Sequence, residues 1–163
     1  MKRSQSKSRR LNKQLINGNW ISRVISLFLP QMKKIEVVAA VIKNENGEIY
    51  CVQRGENSKE YLSKKWEFPG GKIEAEETEI AALVREINEE LQVKVIPIEK
   101  FLIVEHTYPD FHLTMHAYIC HIENGSPIIG EHIDEKWLNA NRLMELDWAA
   151  ADIPIVENLI NRR

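Results

Sequence analysis

Residues 85–91 read REINEEL, and three of these seven residues are glutamates. Glu86 and Glu90 stand four apart, with Glu89 between them in azimuth if the run is helical. Like charges at that spacing repel by about 0.2–0.5 kcal/mol per pair. Arg85, four before Glu89, offsets part of this, and a solvated acidic face is the plain outcome of such a run. A second feature gives the crowding a purpose. Gly70-Gly71 lies just upstream, with Gly71 fifteen residues before Glu86, and paired glycines let backbone oxygens approach an ion or ligand closely. Clustered carboxylates beside an exposed carbonyl suit a hard divalent cation, and Mg²⁺ takes six oxygens at about 2.1 Å. A bound cation turns mutual repulsion into a ligand set.

The elements that must position these groups follow from periodicity. Ile80, Leu83, Val84, Ile87 and Leu91 mark the core-facing stripe of a helix over 78–91. Thr78 suits its N-cap and Glu79 the positive end of its dipole. Upstream, IEVVAAVI (35–42) reads as a buried strand. Asn46-Gly47 signals a hairpin turn into a returning strand at 49–54. Residues 55–65 read as a loop, and WEFPGGK (66–72) as a short strand that breaks at Pro69. Apolar segments 93–98 and 101–107 and the long strand 112–122 come next, then a short strand at 136–138. Helical stretches at 140–146 and 151–160 follow, with Pro154 in a first turn. Strands and helices intermixed around one amphipathic helix predict an α/β (α+β) fold with a mixed sheet.

The chain has 163 residues, enough for one domain with a sizeable core. Hydrophobic residues make up 44% and charged residues 28%, an ordinary globular balance. No apolar run is long enough to cross a bilayer as a helix. Cys51 and Cys120 lie in apolar stretches, which favours buried free thiols and a reducing, cytoplasmic setting. The formal net charge of −2 hides an asymmetry. Residues 1–31 carry seven Lys or Arg and no acid, which leaves 15 basic and 24 acidic residues in 32–163. The arm has a faint signal-like pattern, but polar residues interrupt its apolar stretch and no small-residue cleavage site follows. A short amphipathic segment at 20–29 would suit an anionic surface. The preferred reading is a flexible basic extension, or a start at Met32, ahead of a domain over 32–163.

The spacing around the glutamates resembles the Nudix box, G-x5-E-x7-R-E-U-x-E-E-x-G-U with U an apolar residue. Gly71, Glu77, Arg85, Glu86, Ile87, Glu89, Glu90 and Val93 all match, and Gln92 stands where the family has glycine. A fixed pattern of this length is far more specific than a lone glycine motif. WEFPGGKIE before the box, and the run from Ile35 to Ile160, resemble the MutT branch of Nudix hydrolases. The resemblance implies an α/β/α sandwich. The family glycine follows the helix at a position that suits a left-handed conformation, so Gln92 is expected either to cost roughly 1 kcal/mol in strain or to end the helix differently. Glu76 likewise stands at a position usually occupied by glycine in MutT-like chains.

Carried over residue by residue, the resemblance implies a main metal site of the Gly70 carbonyl, Glu86, Glu89 and Glu90, filled by Mg²⁺ with Mn²⁺ as a substitute. Glu131, in GEHIDEKW, would be a further ligand or a proton acceptor, and Glu86 the principal base. Gly71, Glu77 and Arg85 would be structural, the last two pairing to brace the loop against the helix. Arg54 would contact phosphates. Phe68, Asp110 and Asp152 would line the base, although Phe111 replaces an arginine found beside the position of Asp110. An ionised Asp152 would accept hydrogen bonds from a guanine edge or from a cytosine amino group. The implied activity is hydrolysis of (deoxy)nucleoside triphosphates to monophosphate and pyrophosphate, with 8-oxo-dGTP first and modified dCTP or CTP close behind.

Two other readings stay open: a Nudix domain used as a nucleotide sensor, and a hydrolase of other nucleoside diphosphate derivatives. Stable nucleic-acid binding is not expected, and oligomeric state is not fixed by the sequence. The five histidines (106, 112, 116, 121 and 132) show no metal-ligand spacing and are read as structural. GGK at 70–72 lacks the rest of a phosphate-binding P-loop.

Overall fold

The computed structural model describes residues 32–162. The basic arm 1–31, with the readings attached to it, lies outside the described residues. Ten elements follow in chain order: β1 (Lys33–Ile42), β2 (Ile49–Gln53), β3 (Trp66–Glu67), β4 (Gly70–Lys72), α1 (Glu79–Leu91), β5 (Lys94–Thr107), β6 (Phe111–Asn124), β7 (Asp134–Leu138), a 3-10 helix (Ala140–Glu145) and α2 (Ile153–Asn161).

Strands β4-β1-β6-β5 form one sheet, and β3-β2-β7 a smaller second one. The β1–β6 pair is parallel, and the other ladders are antiparallel. β1 is buried on both faces over its second half, which explains its unbroken apolar sequence. Val38, Ala40 and Ile42 pack with Leu83, Ile87 and Leu91 of α1. Ala39 and Val41 pack on the opposite side with Ile155, Val156 and Leu159 of α2. The expected mixed α/β sandwich is therefore what forms.

Several local expectations change. The Asn46-Gly47 turn is present, with Gly47 at φ 75° and its N–H on the Asn44 carbonyl at 3.0 Å. Yet β1 and β2 part after the single Lys43–Ile49 bridge. β1 already has β4 and β6 at its two edges, so β2 joins the other sheet. Segments 93–98 and 101–107 merge into β5, whose register slips at Pro97/Glu99 and Lys100/Leu102. The stretch 140–146 tightens to a 3-10 helix.

The α1 stripe also shifts. Ala82, Leu83, Ile87 and Leu91 are buried, whereas Ile80 is 43% exposed. In that first turn Glu79 is the residue that reaches the sheet, and its carboxylate accepts hydrogen bonds from Lys100 Nζ and the Tyr118 hydroxyl. The helix ends conform to expectation. Thr78 Oγ1 accepts the Ala81 N–H at 3.2 Å, and Gln92 takes the left-handed conformation at φ 56°. Glu76 does the same at φ 64°. Cys51 and Cys120 are buried free thiols, and burial raises both to about 12. No helix among the described residues is long and apolar enough to cross a membrane.

Candidate active site

The glycine pair and the helix meet without space to spare. A Cβ on Gly70, whose φ is +154°, would lie 2.1 Å from the Val38 carbonyl oxygen. A Cβ on Gly71 would lie 2.2 Å from the Glu86 carboxyl carbon. Only hydrogen at these positions lets β4 sit against β1 while Glu86 lies on the backbone. Arg85 organises the acids around this contact. Its Nε donates to Glu77 Oε1 at 2.9 Å and its Nη2 to Glu77 Oε2 at 2.7 Å, a bidentate pair. Nη2 also donates to the Lys72 carbonyl at 3.0 Å, which ties the box loop to the helix. Nη1 reaches Glu86 at 2.9 Å and Glu89 at 3.4 Å. The Glu77 carboxyl is held below its ordinary range by the Arg85 hydrogen bonds, against the opposing effect of burial.

Glu90 has no such partner. Its Oε2 accepts the Gly70 N–H at 3.1 Å. Burial pushes its pKa up to about 7; the charges of Glu67 and Glu86 add to the rise, while His132 and the Gly70 N–H oppose it. These groups open onto a cleft of about 1050 Å³ that also holds Arg54, Phe68, Glu131 and Asp152. Its floor is apolar, from Ile35 and Val37 of β1 and Leu113 and Met115 of β6. Glu67 also lines the cleft, with a side chain 12% exposed. Its Oε2 accepts from Arg54 Nε and Nη2, and its Oε1 pairs with His132 Nε2 at 3.2 Å.

At the far end Asp152 is 3% exposed, and its Oδ1 accepts the Phe68 N–H at 3.0 Å. Burial, reinforced by the Glu67 charge, pushes it up to about 8. The sequence suggests an ionised acceptor, but in this enclosure the carboxyl holds its proton at neutral pH. Phe68 stacks on Trp148 with ring centroids 4.8 Å apart. Asp110 does not line the cleft. Its exposed carboxylate is engaged by Tyr61 and by Lys59, which itself lines the cleft.

Residues 38–158 match the family model of the NUDIX domain. The chain belongs to that family. It is 33% identical over 128 residues to the 8-oxo-dGTP diphosphatase of Escherichia coli K12, covering 78% of this chain and 98% of that one. It is 34% identical over 138 residues to the CTP pyrophosphohydrolase of the same organism, covering 77% and 91%. Among solved structures, the MutT protein of methicillin-resistant Staphylococcus aureus 252 is 40% identical, with a TM-score of 0.66 over 81% of this chain and 99% of that one. These likenesses put the chain in the MutT branch of the Nudix hydrolases.

Nudix hydrolases use divalent cations, and the residues here fit one. The side chains of Glu86, Glu89, Glu90 and Glu131 and the Gly70 carbonyl offer only oxygen, the donor type a hard cation requires. The Gly71 cradle brings Glu86 onto the glycine turn, and the raised pKa of Glu90 marks a buried carboxyl short of positive charge. Among the described residues no three His, Cys, Asp or Glu side chains already converge as a ligand set. Arg85 holds Glu86 and Glu89 in part, and Glu131 is exposed on the 125–133 loop. Glu67 and His132 are the site residues that the Nudix spacing does not reveal. The one signal for Glu67 is a charge between two buried aromatics, Trp66 and Phe68, in a two-residue strand. His132 gives none beyond its place next to Glu131.

Proposed function

We propose that this protein hydrolyses (deoxy)nucleoside triphosphates to the monophosphate and pyrophosphate with Mg²⁺, which Mn²⁺ replaces. 8-oxo-dGTP is the first substrate, and modified dCTP or CTP the second. The observation that carries this reading is the Glu86 carboxylate seated on Gly71 and the buried Glu90 beside it, in a cleft of about 1050 Å³ that Asp152 also lines.

The Gly70 carbonyl, Glu86, Glu89, Glu90 and Glu131 would hold the ion. A divalent cation bound there supplies charge neutralisation of the polyphosphate and a lowered pKa for water. Arg54, oriented by Glu67, binds the phosphates, and the apolar floor excludes water from the base end. Glu86 takes the proton as the water oxygen attacks the β-phosphorus; Glu131 is the second proton acceptor within the cleft. The bond from that phosphorus to the α–β bridging oxygen breaks, the water oxygen leaves in pyrophosphate, and the bridging oxygen stays on the monophosphate. General-base help of this kind is worth about 10²–10⁴ in rate. Phe68, backed by Trp148, offers a flat apolar wall to the base. A protonated Asp152 presents a donor beside its acceptor oxygen. The guanine edge (O6 with N1–H) and the cytosine edge (N3 with the 4-amino group) both match such a pair, in keeping with the two kinds of named relative.

The test is pyrophosphate release from a panel of oxidised and normal triphosphates with Mg²⁺, beside Glu86→Gln as control. Turnover of 8-oxo-dGTP or a cytidine triphosphate well above that control supports the reading. Binding without turnover would replace it with a nucleotide sensor, and turnover of nucleoside diphosphate derivatives alone with a different Nudix specificity. We assign hydrolysis to residues 32–163, so a protein lacking 1–31 should retain it.

A further inference from the structure

The loop between β6 and β7 carries Glu131, which is exposed and lines the cleft from a segment without regular structure. Its two ends are fixed by backbone. The Ile128 N–H donates to the Leu91 carbonyl at the end of α1 at 2.9 Å, and the Ile133 N–H to the Gln53 carbonyl at the end of β2 at 3.0 Å. Between these points the side chain that dips inward is His132, which is 5% exposed. Its Nε2 meets Glu67 Oε1 at 3.2 Å, while the second oxygen of Glu67 holds Arg54. One buried carboxylate thus grips both the phosphate-side arginine and the loop that presents Glu131.

We infer that His132 is a positioning residue, which through Glu67 sets the place of Glu131 in the cleft and locks it to the place of Arg54. The inference rests on the hydrolytic reading and deepens it. A loop pinned only at Ile128 and Ile133 leaves the intervening residues free to rotate; the buried imidazole removes that freedom in the folded state, before any substrate arrives. Pre-positioning of this kind matters because small displacements of a reacting group cost rate steeply. The pairing also explains a charged residue inside a two-residue strand. Glu67 is where the two halves of the site are joined, and its geometry leaves one oxygen for each. Among the described residues the Nδ1 of His132 is buried without a hydrogen-bond partner, so the Glu67 contact is the ring's one hydrogen bond there.

The experiment is a double-mutant cycle between His132 and Glu131 in the full chain, with hydrogen exchange as a readout independent of turnover. His132→Ala should lower kcat by about 10–100-fold, the usual effect of removing a residue that orients a ligand or base, with a smaller change in KM. His132→Gln, whose amide can reach Glu67 as Nε2 does, should recover most of it. In a Glu131→Gln background His132→Ala should cost less than about 2-fold, because the residue it positions is gone. Amide exchange over 129–133 should rise in His132→Ala and return in His132→Gln. Equal losses from His132→Ala in both backgrounds, or unchanged exchange in that loop, would overturn the inference and leave the hydrolytic reading intact. A wild-type protein that releases no pyrophosphate from any triphosphate would sink the hydrolytic reading instead, and the exchange result would still stand.

Discussion

Two buried carboxyls line the cleft, both raised by burial but with different neighbours. At the glycine-turn end, Glu86 and Glu89 share the Arg85 guanidinium, and Glu90 sits buried with one N–H. At the base end, Asp152 is enclosed almost completely and has one N–H as well. Glu90 is held at about 7 and Asp152 at about 8. The first is poised to lose its proton once positive charge arrives. The second keeps its proton in the neutral range and can act as a donor. Burial is the main cause in both, and the Glu67 charge adds to the rise at each. Burial alone does not say what a carboxyl is for; what else reaches it decides.

Removing the reactive carboxylates gives the largest expected effect. Glu86→Gln should lower kcat by about 10²–10⁴. Glu90→Gln should weaken Mg²⁺ binding in calorimetry, and an unchanged titration would take Glu90 out of the ligand set. Asp152→Asn probes the opposite end. It should change the ratio of guanine to cytosine substrates by about 10-fold or more while metal dependence stays as it was. An equal loss on every base would make Asp152 a structural group that holds Phe68, and the contrast between the two ends would fail.

The pH dependence of stability separates the ends further. Glu90, Asp152 and His132 all have folded pKa values raised above their ordinary ones. For His132, burial works against the rise, and the Glu67 hydrogen bond with the Glu90 and Glu67 charges outweighs it. A folded state that binds protons more tightly than the unfolded chain is favoured at low pH. Their shared contribution is therefore complete below the ordinary carboxylate range, and is lost as pH climbs through about 7 for Glu90 and about 8 for Asp152. Without metal, the melting temperature should fall between pH 5 and pH 8. Saturating Mg²⁺ at pH 8 should restore the Glu90 share and leave the Asp152 share lost. A melting temperature that climbs across this interval in metal-free protein would contradict the electrostatics described here.

The smallest effect belongs to the helix end. Gln92→Gly relieves a left-handed residue and should stabilise the fold by about 1 kcal/mol, read by chemical denaturation, with hydrolysis unchanged. A loss of activity in that variant would connect the helix terminus to Glu90 more closely than the contacts suggest.

What could be read from the sequence was what is decided within a few residues. The glutamates of α1, the Thr78 cap, the left-handed Gln92 and the Gly70-Gly71 turn each depend on local spacing and backbone sterics, and each is where the residues indicate. Ile80 misled because periodicity says which way a residue faces and not whether anything waits there; Glu79 makes the inward contact in that turn. The place of Asp110 in the chain says nothing of Lys59 and Tyr61, which arrive from a loop some fifty residues earlier to engage its carboxylate.

By itself the sequence determined the α1 carboxylates and the mixed α/β class, since helix period and glycine sterics act over short spans of chain; the box loop braced by Glu77 and Arg85 is what the Nudix resemblance implied. Only the tertiary structure decided that Glu67 joins Arg54 to His132, that Asp152 keeps a proton, and that β2 leaves β1 for a second sheet. Those outcomes depend on burial and on which strand edges are already taken, and both are fixed only when distant segments have packed.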